Sequence, residues 1–255
     1  MVKHTFVILA FNESDDLEEC IKSVLNQSIK SNVVIATSTP NDYIMELASE
    51  YSLGVMINEE KSNKGSDYNF AINSFESRLI TIAHQDDLYD RNYVKEIYLA
   101  LKKNPDATIF FTDNYEIKGD KKIKKSKELF LKRFFLFPLK YKIFQKSGHF
   151  KLRSLKRHKY ICTSSVTFVK KNIDKDIFPT NFVYDNDWQG LIDLAKENSK
   201  FVYIPKKLVG YRINKTEQNI VKDSEDERIL RSLYSNWYYE KVINRKKNKK
   251  KENFN

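Results

Sequence analysis

Cysteine is scarce in this chain. Only Cys20 and Cys162 occur, without CxxC spacing, and the four histidines (His4, His84, His149, His158) do not pair at ligand spacing. No zinc-type Cys/His cluster is present, and the thiol usage fits a reducing, cytoplasmic setting. Glycine is scarce too. The six glycines supply neither GxGxxG nor GxxxxGK, which excludes a dinucleotide fingerprint and a P-loop, and no GxSxG nucleophile elbow occurs. Long apolar runs are missing. "FFLFPL" is the longest candidate, far short of the roughly 20 residues that span a bilayer. The N-terminal "TFVILAF" is short, runs straight into "NESDD" and lacks a small-residue cleavage site, so it reads as a buried strand rather than a signal core. A soluble protein, or one that rests on a membrane surface, is expected.

What is present is enough for a core. At 255 residues the chain can bury one sizeable core with an appendage, and an apolar fraction of 41% with 15 Tyr and 17 Phe excludes wholesale disorder. The net charge of +11 is uneven. From Lys118 to Lys171 there are 18 Lys/Arg against Asp120 and Glu128, a local balance of +16 that exceeds the whole-chain value. The basic character therefore belongs to one region, which points to an anionic partner: phosphate groups, an acidic lipid surface or nucleic acid.

The first half alternates strand and helix. An apolar strand over 5 to 11 is followed by Leu17, Cys20, Ile21, Val24 and Leu25 at helical spacing behind Ser14 as N-cap. "VVIA" (33 to 36) is a second strand. A helix carrying Ile44, Leu47 and Ala48 stops near Gly54, and "VMI" (55 to 57) is a third strand. A helix with Ala71 and Ile72 leads to the strand "LITIA" (79 to 83), then to a helix with Val94, Ile97, Tyr98 and Leu101. "ATIFFTDN" (107 to 114) is a fifth strand, with a charged hairpin or loop after it. Later come "SVTFV" (165 to 169), a helix near 187 to 198, strands near 201 to 204 and 208 to 212, and a last helix over 224 to 244, with a disordered basic tail over 245 to 255. Alternation at this spacing implies parallel pairing with ligands beyond the carboxyl ends of the strands. The loops to watch are 12 to 14, 37 to 41, 58 to 67 and 84 to 90.

Two acidic clusters stand out. "HQDD" (84 to 87) follows a strand end, and "YDNDW" (184 to 188) precedes an apolar helix face. Adjacent aspartates repel, so each cluster is either a solvated helix start favoured by the dipole or a place where a cation is held by hard oxygen ligands.

Taken in order, "FVILAFNESDDLEECIKSVLNQS", "NKGSDYNFAI", "AHQDDLYDRNYV" and "YDNDWQGLIDLAKENSKFVYIPKKLVGYRIN" resemble segments of family 2 of the inverting nucleotide-sugar glycosyltransferases over roughly residues 4 to 214. The resemblance implies a GT-A type fold: a Rossmann-like, mostly parallel sheet flanked by helices, with a basic aromatic helical insert and a C-terminal helix. It implies a nucleotide-sugar-binding half over 1 to 117 and an acceptor-binding half over 118 to 223.

The likeness also implies roles. In the family's "DxDD" stretch the third position, here Asp86, holds a divalent metal, Mn2+ or Mg2+. The first position is His84, which either reaches the metal or ribose or is only a loop residue; Asp87 either caps the next helix or touches substrate. The family's late "ED" pair aligns with Asn186 and Asp187, making Asp187 the general base. Asn214 stands where a histidine often approaches the metal. Ala10, Asn12, Glu13, Asn63, Gly65, Asp67, Asn69, Gln85, Trp188 and Arg212 fall on substrate-binding segments. The family's base-reading "DDGS" is replaced here by "ATSTPND", so Thr37, Ser38 and Thr39 are the groups left to meet a base or ribose, with UDP the commonest family nucleotide.

The reaction so implied is inverting transfer of a sugar from a nucleotide diphosphate to a glycan or lipid-linked glycan, in polysaccharide biosynthesis at the cytoplasmic face of the membrane. Between residues 129 and 161, eight aromatics interleave with ten Lys/Arg and no acid. That segment reads either as a surface for a polyanionic or lipid-linked acceptor or an anionic membrane, or as helices whose aromatics pack on the sheet. An inactive glycosyltransferase-like scaffold and a nucleic-acid-binding protein are the rival readings. The basic stretch is continuous and carries no RNA-binding signature, so no nucleic acid is expected.

Overall fold

The computed structural model describes residues 3–60, 63–155, 160–173, 176–180 and 186–213. The expected C-terminal helix and tail, Asp185, His158 and Asn214 lie outside them. Met1–Asn214 forms one compact unit.

Among the described residues nine strands make one sheet. They are β1 (His4–Ala10), β2 (Asn32–Thr37), β3 (Gly54–Ile57), β4 (Leu79–His84), β5 (Leu88–Tyr89), β6 (Ile109–Lys118), β7 (Lys121–Ile123), β8 (Val166–Val169) and β9 (Phe201–Arg212). The order is β3-β2-β1-β4-β8-β6-β9-β5, with β7 hairpinned onto β6. β3, β2, β1 and β4 pair in parallel, and β9 pairs with β6 in parallel. β8 runs against both β4 and β6. The sheet is therefore mostly parallel, and the antiparallel β8 joins its two halves into one surface. Phe6, Ile8 and Ala10 of β1 pack in one apolar cluster with α1 (Leu17–Leu25), α2 (Asp42–Glu50) and α4 (Tyr93–Lys103). The alternate positions Val7, Ile80 and Ile82 are equally buried, as strands covered on both faces require. α3 (Lys64–Asn73) precedes β4, and α8 (Asn186–Lys196) precedes β9.

Three local expectations are corrected. Ser14 does not cap α1 with its side chain; the helix starts behind Asp16, and the Ser14 carbonyl accepts from Leu17 N–H (3.0 Å) and the Tyr43 hydroxyl (2.9 Å). Gly54 is not the stop of α2, because Ser52 takes the left-handed turn at φ 52° and Gly54 opens β3. The two late strands are one. β9 runs through Pro205, which has no N–H to donate, and the β6–β9 register slips there while residues 205 to 207 turn outward.

The basic aromatic segment is helical: α5 (Lys127–Leu136), a 3-10 turn (Phe137–Lys140), α6 (Lys142–Gln145) and α7 (Gly148–Arg153). Ser126 caps α5 by accepting from Leu129 N–H at 3.1 Å. Among the described residues no helix is long and apolar enough to cross a membrane.

Candidate active site

β4 delivers His84 to the end of the sheet, and the chain then turns sharply, with Asp87 N–H donating to His84 C=O at 3.1 Å. Gln85 fastens this turn to the end of β1. Its amide accepts from Phe11 N–H (2.8 Å) and donates to Phe11 C=O (3.0 Å), imitating one rung of a ladder. Arg212 at the end of β9 closes the other side. Its backbone N–H donates to Asp87 Oδ1 (3.0 Å), and its guanidinium reaches the Asp86 carbonyl, Asp16 and Glu19. The turn is thus held from three elements, and Asp86 is left half-buried between two tied neighbours.

Asp87 is fully buried. Burial, and next the charge of Asp86, push its carboxyl up to about 8, against the hydrogen bonds from Ser164 and the Arg212 N–H. The Ser164 hydroxyl donates to Asp87 Oδ2 and lies 3.0 Å from His84 Nδ1, while the Tyr68 hydroxyl lies 2.8 Å from His84 Nε2. Both ring nitrogens of His84 are therefore engaged by hydroxyls of this chain.

The second cluster meets the first through the neighbouring residue. Thr163, one step from Ser164 in a short 3-10 turn, donates to Asp187 Oδ2 at 2.8 Å. The other Asp187 oxygen accepts from Trp188 N–H at 2.9 Å. Successive Cα atoms are about 3.8 Å apart, so one dipeptide holds a carboxylate of each cluster. Tyr68 records the same proximity: burial first, then the charges of Asp187, Tyr211 and Asp87, raise its phenol well above the ordinary range.

The loop after β2 contains no acid, and the fold brings one to it. Asp67, on the first turns of α3, accepts from Ser38 Oγ (3.1 Å) and Asn58 Nδ2 (2.9 Å). Thr39 Oγ1 accepts from Asn12 N–H at 2.7 Å, with Asn12 in the left-handed region at φ 52°. Thr37 is buried and its hydroxyl accepts from Thr39 N–H, so it shapes the loop. Glu13 is exposed beside Asn12, and Ala10 is the last rung of β1.

Other residues expected to touch substrate are occupied by the chain itself. Asn63 caps α3, accepting from Gly65 and Ser66 N–H groups, and donates to Thr180 C=O. Asn69 exchanges both of its amide groups with the Phe178 backbone. A Cβ on Gly65 would lie 2.2 Å from Pro179 O and 2.8 Å from Asn186 Nδ2. These three positions seat the 178–180 segment against α3. Trp188 is buried, with its indole N–H on Leu155 C=O.

A divalent cation fits the turn by the chemistry of its donors. Ligand atoms of His84, Asp86 and Asp87 lie within 4.8 Å of one another. Asp87 already accepts from two donors, and His84 must give up a hydroxyl partner to ligate. Asp86 is the half-buried carboxylate in sequence between them, as suits a cation whose other ligands are phosphate and water.

Sequence reasoning missed Tyr68, Thr163 and Ser164. Their signal is weak, three hydroxyl residues "TSS" ahead of a strand and one tyrosine among helix-face aromatics.

The family model described as Glycosyl transferase family 2 matches residues 5–178, more than half of the chain. The chain belongs to glycosyltransferase family 2. Solved structures agree on the fold. A crystal structure of S. aureus TarS in complex with UDP-GlcNAc is similar at TM-score 0.61 and 15% identity, covering 84% of this chain and 59% of that one. Another TarS crystal structure gives 0.62 at 15% identity, with 83% of this chain and 37% of that chain covered. Glucosyl-3-phosphoglycerate synthase from Mycobacterium tuberculosis, with Mn2+, UDP-glucose and phosphoglyceric acid, gives 0.59 at 12% identity, covering 86% and 74%. The chain thus spans less than two thirds of these TarS structures. A search of curated proteins finds none that matches it in sequence. As a family 2 glycosyltransferase it shares its GT-A-like fold with neighbours that bind UDP-sugars.

Proposed function

We propose that this family 2 member is an inverting, metal-dependent glycosyltransferase that moves a sugar from a nucleotide diphosphate, UDP first among candidates, to a glycan or lipid-linked glycan of cell-surface polysaccharide assembly. The observation that carries the proposal is the Thr163–Ser164 step, which sets Asp187 beside the turn bearing Asp86. UDP-GlcNAc in the TarS complex and Mn2+ with UDP-glucose in the M. tuberculosis synthase complex support the donor class and the ion.

Asp187 is the general base. It takes the proton from the acceptor hydroxyl as that oxygen attacks the anomeric carbon from the face opposite the diphosphate. Thr163 and the Trp188 N–H fix its two oxygens, so the carboxylate is oriented before substrate arrives. Asp86 would hold Mn2+ or Mg2+, which when bound neutralises the departing diphosphate, so that no acid is needed on that side. His84, fixed by Tyr68 and Ser164, supports the turn. Asp67, set by Ser38 and Asn58, offers the nucleobase edge the carboxylate that the β2 loop lacks. Asn12, Thr39 and Gln85 shape the wall beside it.

Calorimetric titration of nucleoside diphosphates, with and without Mn2+, tests this on the wild type and on Asp86→Ala. Metal-dependent binding of one nucleotide, lost in the variant, is expected. Equal affinity with and without metal removes the metal role. No binding by a folded sample moves the reading to an inactive scaffold, which the engagement of both His84 nitrogens would then explain.

A further inference from the structure

α5 is apolar on opposite sides. Leu129 and Leu136 face inward with Lys132 between them, all buried. Phe130, Leu131 and Phe134 face outward, 69%, 41% and 56% exposed. The outward row continues along the chain with Phe137 (50%), Tyr141 (46%) and, on α6, Ile143 (80%). Six of the eleven exposed large hydrophobics among the described residues fall in this one segment, which makes it a patch and not scattered exposure. A helix with apolar residues all round is normally covered on both sides, and among the described residues only the inner side is buried.

Cations ring the row. Lys140 Nζ lies 5.8 Å from the Phe137 and the Tyr141 ring centroids, and the Arg153 guanidinium 5.7 and 5.3 Å from those of Phe134 and Phe135. Lys127 and Lys142 are exposed, and no carboxylate occurs in sequence between Glu128 and Asp174. This charge selects the occupant. A second copy docked face to face would press two basic rims together. Nucleic acid uses flat rings for stacking, whereas the most exposed residue here is the branched aliphatic Ile143. An apolar ridge inside a basic rim matches the acyl boundary and phosphates of an anionic bilayer.

We infer that the face formed by α5, the following turn and α6 docks on an anionic phospholipid membrane, with Phe130, Phe134, Phe137 and Ile143 entering the headgroup boundary and Lys140 and Lys142 meeting lipid phosphates. The inference rests on this face alone and stands apart from the transferase reading.

Vesicle flotation of the full chain tests it, using phosphatidylcholine vesicles and vesicles of phosphatidylcholine mixed equally with phosphatidylglycerol. Binding to the anionic vesicles only is expected, weakened at least about tenfold in Phe130→Ser/Ile143→Ser and again in Lys140→Glu/Lys142→Glu, with melting temperatures unchanged because these side chains are exposed. Wild-type binding by the Phe130/Ile143 variant overturns the proposal. So does binding lost only when the basic residues 245 to 255 are removed, since the tail is then the contact. A dimer in sedimentation that the Phe130/Ile143 variant dissociates would assign the face to a second copy and also overturn it.

Discussion

Asp187→Asn separates the chemistry from the architecture. The exchange keeps volume and shape. Oδ1 can still accept from Trp188 N–H, and the Thr163 hydroxyl can turn to accept from the new amide, so both partners at 2.8–2.9 Å remain satisfied. Stability should therefore change by less than about 1 kcal/mol. What is lost is the lone pair that accepts the acceptor proton, and removal of a general base slows a reaction by about 10²–10⁴-fold, which is roughly 3–5 kcal/mol in the barrier. Because the acceptor need not be known, the assay is release of UDP from a panel of UDP-sugars, with water as the slow acceptor. Nucleotide affinity by calorimetry should stay within about twofold, since the base contacts the acceptor and not the diphosphate. Normal turnover with intact binding would refute the role of Asp187. Equal loss of binding and turnover would mean that Asp187 builds the donor site.

Other perturbations probe the neighbours. Gly65→Ala would drive a methyl into Pro179 O at 2.2 Å; overpacking costs about 2 kcal/mol, read as a fall in Tm of about 4–8 °C, and an unchanged Tm would mean that the 178–180 segment yields. Asp67→Asn should weaken nucleotide binding about tenfold, as expected for a charge-assisted hydrogen bond, whereas equal affinity would remove Asp67 from base recognition. His4 is buried between Ser31 and Thr81, and burial pushes its pKa down to about 3 from 6.5. The unfolded chain then binds a proton that the native one refuses, so stability should fall as pH drops from about 6.5 toward 3, by up to ~1.4 kcal/mol per pH unit. In denaturant titrations His4→Gln should flatten that slope, and parallel slopes would contradict it.

Most of the fold was legible in the sequence because each element carries its own period. β1 through α4 follow the alternation of apolar strands with helical spacing, and the boundaries differ by few residues. The errors are local chemistry overruled by neighbours. Ser52 accepts a positive φ that glycine was expected to take. β9 survives Pro205 because β6 continues to pair on both sides of the bulge. The direction of β8 was not legible at all, since four apolar residues fit either a parallel or an antiparallel slot, and the choice is made by β4 and β6 together.

For the site, the sequence by itself determined which acids are available, that one cluster follows a strand end and that the other opens a helix, because these facts depend only on neighbours in the chain. It could not determine their company. Ser164 reaches His84 across 80 residues, and Asp87 meets the Arg212 N–H across 125. Asp67, on a helix, comes to serve the loop of a strand 29 residues earlier. Hydrogen bonds and buried charges act over a few ångströms of space with no regard for chain distance. Only the assembled fold could decide that Thr163 and Ser164 would hold one carboxylate from each acidic cluster.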